Sequence, residues 1–96
     1  MKPSDILKLH RAEIRQIVAE CHATNARVFG STIHGDDTEN SDLDLLVDVT
    51  SNTTLFDIAR IQRRLQQILS IPVDVLTPNS LPKKFRLQVL NEAVPV

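Results

Sequence analysis

The sequence predicts an α/β domain whose segments follow the order helix, strand, turn or short helix, strand, helix, strand, helix. Three observations predict it. Apolar residues recur at helical spacing in two long segments, three short runs are rich in branched apolar residues, and most Gly and Pro residues fall between these segments. Ninety-six residues with 42% apolar composition suit one core, so residues 1–96 are read as a single domain.

The first helix should open near Ser4, an N-cap residue followed by Asp5 in the first turn. Ile14, Ile17, Val18 and Cys21 supply its apolar stripe, with Ile6 and Leu7 upstream, and it should fray at Ala23-Thr24-Asn25. Arg27-Val28-Phe29 is a short strand halted by Gly30-Ser31, and residues 32–41 read as a turn or short helix and a polar loop. Leu43 to Val49 is the strongest strand. Thr54 with Asp57 has the spacing of a capping box, and Ile58, Ile61, Leu65, Ile68 and Leu69 line the helix it opens. Val73 to Leu76 forms a third strand after Pro72, and a last helix runs from Asn79-Ser80 to about Glu92, with Pro82 in its first turn.

Charge excludes several function classes. Eleven basic against twelve acidic residues leave a net charge of -1, unlike a protein that binds phosphate backbones in general. Trp and Tyr are absent, and Phe29, Phe56 and Phe85 are too few for a base-stacking platform. No direct nucleic-acid binding is expected. No apolar run reaches the roughly 20 residues of a membrane span, the N-terminus lacks a secretory signal, and Cys21 has no partner for a disulfide. A cytoplasmic protein is expected.

The acidic residues are unevenly placed. Asp36, Asp37, Glu39, Asp42, Asp44 and Asp48 crowd one stretch, and no Lys or Arg occurs between Arg27 and Arg60. Strand side chains alternate, so Asp42 and Asp44 project to one face while Leu43, Leu45 and Val47 project to the other. Their backbones stand roughly 6.5–7 Å apart, and carboxylates at that spacing can lean together onto one hard cation or bridge two lying about 3.5–4 Å apart. Mg²⁺ suits them, since it fills the rest of its octahedron with water and phosphate oxygens. Asp74, between Val73 and Val75, can join the same face if its strand pairs beside theirs. Gly30 permits close backbone approach, and the Ser31 hydroxyl with nearby N–H groups can hold a phosphate. Asp36, Asp37 and Glu39 read as solvated loop charges, Asp48 as structural, and Arg60, Arg63 and Arg64 as a solvated helix face.

Taken together, Gly30-Ser31, ten intervening residues, Asp42-x-Asp44 and the later strand carrying Asp74 resemble the nucleotidyltransferase superfamily of DNA polymerase beta. The short length resembles its minimal nucleotidyltransferases, typically antitoxins encoded beside a HEPN-domain ribonuclease toxin. The likeness extends to the leading helix and to the tail Leu90-Asn91-Glu92-Ala93-Val94-Pro95. It implies a palm-like fold around a short mixed sheet, with Asp42 and Asp44 holding Mg²⁺ and Gly30 and Ser31 facing the triphosphate. Asp74 would complete the metal site or activate the acceptor hydroxyl. Many relatives carry Arg where this chain has His34, which offers no permanent bidentate phosphate contact. The implied reaction is transfer of AMP from ATP to a toxin hydroxyl, commonly of tyrosine, which silences the toxin. Two other readings are a catalytically silent antitoxin acting by occlusion and an adenylyltransferase for a small molecule of the aminoglycoside type.

Overall fold

In the computed structural model, which describes residues 1–96, the expected elements are present with one strand added at the end. Helix α1 covers Pro3–Glu20, strand β1 Ala23–Phe29, the short helix α2 Ser31–His34, β2 Leu43–Val49, α3 Leu55–Leu69 and β3 Val73–Leu76. A 3-10 turn at Pro78–Ser80 leads into α4, Lys83–Glu92, and a two-residue strand β4, Val94–Pro95. The strands form one mixed sheet in the order β3-β2-β1-β4. β2 runs parallel to β3 and antiparallel to β1, while β4 lies antiparallel along the other side of β1.

The alternation in β2 decides which face is covered. Leu43, Leu45 and Val47 join Val28, Val73 and Val75 on the inner face and pack against α1 and α3 in one cluster of 16 buried residues. Ile14, Ile17 and Val18 from α1 and Ile61 and Leu65 from α3 complete it. Each such side chain contributes about 1.5–3 kcal/mol through burial, so the inner face fixes the register of every strand. The opposite face carries Asp44, Leu46, Asp48 and Asp74. No helix is long and apolar enough to cross a membrane.

Four boundaries differ from the sequence reading. α1 begins at Pro3 with Lys2 as its N-cap residue, and Ser4 does not cap it. The side chain that serves its first turn is Asp37, which accepts the Ser4 backbone N–H at 2.9 Å and is only 6% exposed. Asp37 is therefore a long-range cap rather than a solvated loop charge. β1 starts at Ala23, where the first helix was expected to fray, because a bulge accommodates Asn25 in the left-handed region (φ 53°). Asn25 and Arg27 both donate to the Asp48 carboxylate across this bulge. α4 begins at Lys83 rather than near Asn79, with Pro82 at its N-cap position and the preceding residues in the 3-10 turn. β4 was not anticipated, since two residues show no periodicity.

Thr54 and Asp57 do form the expected capping box, and Asp57, 4% exposed, also meets His22 and Arg60.

The Ser4 N–H holds the Asp37 carboxyl below its ordinary value of 3.8. A carboxyl whose pKa is lowered by folding adds stability above its unfolded pKa and loses it as pH falls through the folded one. Asp37→Ala should therefore cost about 1 kcal/mol at pH 7, or roughly 4–8 °C in Tm. Thermal melts should show the gap from wild type closing as the pH drops below 3.8.

Candidate active site

The site begins where β1 ends. Gly30 follows Phe29 with φ 76° and ψ -148°, a conformation that favours glycine, and turns the chain into α2. A second reason for glycine is contact, since a Cβ built at this position would lie 2.4 Å from Asp44 Oδ2. The turn and the acidic strand therefore touch. Ser31 opens α2, with its N–H and hydroxyl beside Gly30, and Gly35 closes α2 in the left-handed conformation.

Register brings the carboxylates together. Asp44 on β2 stands directly beside Asp74 on β3, and Phe29 on β1 stands beside Asp44 on the other side. Neighbouring strands are about 4.8 Å apart, so Asp44 and Asp74 share one row of the open face. Asp42 is the residue just before β2 and is exposed. Asp74 is exposed too, although Val73 and Val75 on either side are buried. Their backbone N–H groups donate to the side-chain oxygens of Gln66 (3.1 Å) and Gln62 (3.2 Å) on α3. Two glutamines thus satisfy the amides of an edge strand and hold the backbone on both sides of Asp74.

These positions have an electrostatic consequence. Burial pushes the Asp44 carboxyl from its ordinary 3.8 up to about 6, and the Asp74 and Asp42 carboxylates push the same way. The donors are hard carboxylate oxygens carrying uncompensated negative charge, which is the chemistry of a Mg²⁺ site. As the side chains stand, no three His, Cys, Asp or Glu groups converge tightly enough to hold an ion between them alone. Mg²⁺ needs only one or two carboxylates when phosphate oxygens and water supply the rest. The donor set fits.

The structure thus brings Gly30, Ser31, Asp42, Asp44 and Asp74 to one end of the open face. His34 faces elsewhere, pairing through Nε2 with Glu92 of α4 at 3.2 Å. Phe29 and the two glutamines escaped sequence reasoning. The signal for Phe29 was its place one residue before Gly30, but only the antiparallel register puts it beside Asp44.

A mixed sheet with carboxylates gathered at one end of its open face, next to a Gly-Ser turn, is the architecture of a nucleotidyltransferase. The chain belongs to the polymerase beta nucleotidyltransferase family, whose model matches residues 5–96. Among relatives, the Methanocaldococcus jannaschii protein MJ0435, named as a candidate protein adenylyltransferase, is 35% identical over 86 residues, covering 90% of this chain and 92% of its own. The protein adenylyltransferase MntA of Thermococcus cleftensis is 32% identical over 89 residues, covering 93% and 87%. A solved structure of a candidate minimal nucleotidyltransferase superposes with a TM-score of 0.86 at 38% identity, over 97% of this chain and 95% of that one. At lower identity the fold is shared with a toxin–antitoxin structure containing AMP-PNP (TM-score 0.73, 20% identity, 88% and 69% covered). It is shared as well with a chain of the solved complex of tri-AMPylated Shewanella oneidensis HEPN toxin with MNT antitoxin (TM-score 0.68, 17% identity, 92% and 69% covered).

Two outcomes follow from the geometry. Asp44 has a pKa raised by folding, so its ionisation costs stability as pH rises from 3.8 to about 6 and the full cost persists above that. Asp44→Asn should stabilise the fold at pH 7.5 by on the order of 1 kcal/mol, allowing for partial solvent screening, and so raise Tm. Melts in a pH series should show that advantage shrinking as pH falls from 6 towards 3.8. Gly30→Ala should destabilise by about 1–2 kcal/mol from the backbone alone, and more from its collision with Asp44. Denaturant titration measures it.

Proposed function

We propose that this protein is a Mg²⁺-dependent nucleotidyltransferase antitoxin that transfers AMP from ATP to a hydroxyl, that of a tyrosine, on a cognate HEPN-domain ribonuclease toxin. The observation that carries the reading is the register pair Asp44–Asp74 against Gly30, in a chain one-third identical to a protein adenylyltransferase. A HEPN toxin bearing AMP beside an antitoxin of the same fold supports the choice of partner. The reaction belongs in the cytoplasm, where Cys21 remains a thiol, and the 96 residues act as one domain.

Asp42 and Asp44 are the residues that hold the cation, with Asp74 able to complete the set. When bound, Mg²⁺ neutralises charge on the triphosphate. Gly30 lets the backbone approach the phosphates without a side chain between them, and Ser31 offers its hydroxyl and N–H as donors. The acceptor hydroxyl attacks the α-phosphorus as the bond from that phosphorus to the bridging oxygen breaks, and pyrophosphate leaves. The hydroxyl is a poor nucleophile until its proton is taken. Asp74 takes this proton; its exposure on the open face and the hold of Gln62 and Gln66 on its strand support that role. Positioning and charge neutralisation account for most of the catalysis such a transfer needs.

Intact mass spectrometry tests the reading. Incubating the toxin with wild-type protein, ATP and Mg²⁺ should add one or more adenylate units to the toxin, which should stay inactive after the antitoxin is removed. Asp74→Asn preserves size and packing, so toxin binding should persist while the transfer rate falls at least 100-fold. Absence of any mass increment with wild type, together with equal neutralisation by Asp74→Asn, would leave an antitoxin that works by occlusion.

A further inference from the structure

The end of the molecule opposite the carboxylates carries features that nucleotidyl transfer does not use. Leu55 and Phe56, at the start of α3, are 88% and 82% exposed, the most exposed large apolar residues in the chain. They do not sit on a frayed end. The Thr54–Asp57 capping box closes this turn, and buried Asp57 is held further by His22 and Arg60. Phe56, Ala59, Arg60 and Arg63 line a cavity of about 280 Å³ on the outer side of the helix. Because β2 and β3 are parallel, both strands leave the sheet at this end, away from Asp44 and Asp74.

Charge says what covers these residues. On this face of α3, Arg63 enters no ion pair, whereas Arg60 reaches only the buried Asp57. A second copy meeting this patch with its own would set cations against cations. An exposed Phe with an unpaired Arg beside it matches the residue types enriched at protein interfaces, and the capped turn that carries them is already ordered. A single strand of RNA would call for more stacking groups and more cations along one track than one helix end supplies.

We propose that the first turns of α3, centred on Leu55, Phe56 and Arg63, are a docking surface for an apolar groove rimmed by acidic residues on the toxin partner. The proposal rests on the toxin reading of the preceding subsection for the partner's identity. It implies that the toxin is gripped at the end away from the carboxylates, so the hydroxyl presented to Asp74 comes from a flexible segment of that toxin or from another copy in a toxin oligomer.

The test is binding of fluorescently labelled protein to its cognate HEPN-domain toxin, with toxin adenylylation followed in parallel. The variants are Leu55→Ser with Phe56→Ser, and Arg63→Glu. All three residues lie on the helix surface, and unchanged thermal melts would show that the fold is retained. The double variant should bind at least tenfold more weakly, and Arg63→Glu should weaken binding and flatten its salt dependence. Adenylylation at saturating toxin should keep its rate while KM for toxin rises at least tenfold. If wild type binds and the double variant shows the loss but no adenylate is ever added, docking stands and the enzymatic reading fails. Affinities within twofold of wild type, or no wild-type binding to that toxin, would overturn the proposal. So would light scattering that finds a self-associated protein dispersed by the double variant, or RNA binding abolished by Arg63→Glu.

Discussion

The contact between Gly30 and the Asp44 carboxylate is the constraint on which the site depends. It fixes how closely the end of β1 approaches β2, and the parallel register of β2 and β3 then sets Asp74 beside Asp44. Burial of the Asp44 carboxylate, and after it repulsion from Asp74 and Asp42, works against the fold and raises the Asp44 pKa. The opposite face of the same strands supplies the compensation. Leu43, Leu45, Val73 and Val75 are buried there, and no strand can slip by one residue without turning the apolar row outwards. The acidic row is held in place by the apolar row behind it.

Polar contacts between residues distant in sequence stabilise the frame around this sheet. Asp37 reaches from the acidic loop to the first turn of α1, and Asp57 joins its own helix cap to His22 at the other end of α1. Gln62 and Gln66 saturate the amides on the edge of β3, and Asp48 gathers Asn25 and Arg27 across the bulge in β1. Each of these acceptors or donors would cost stability if left alone in a partly buried place. Together they connect both helices of the inner layer to the strands that carry Asp44 and Asp74. A small domain with one core needs such ties, because its apolar burial alone leaves little margin.

The two ends of the molecule differ in character. Asp42, Asp44, Asp74 and the acidic loop occupy one end, where the N-terminal ammonium meets Glu39 and Lys2 stands near Asp37. The most exposed apolar side chains, Leu55 and Phe56, sit at the other, where α3 begins beside Arg63.

What the sequence by itself determined was local. Helix periodicity in α1 and α3, the Thr54–Asp57 box, the alternation in β2 and the glycine at the end of β1 all act within a few residues, so their residue types were sufficient to read them. The candidate site residues were legible for the same reason, since Gly30-Ser31 and Asp42-x-Asp44 are short patterns, and the fold brings them to one end of the sheet. Tertiary structure alone decided the rest. Asp37 looks like any loop carboxylate until α1 is placed above it, and β4 has no signal apart from the edge of β1 it completes. The early start of β1 depended on a bulge whose polar groups find partners only on β2. Whether Asp74 stands beside Asp44 was likewise decided by strand pairing across the whole of α3, because a carboxylate's neighbour on a sheet is set by register between strands and not by proximity along the chain.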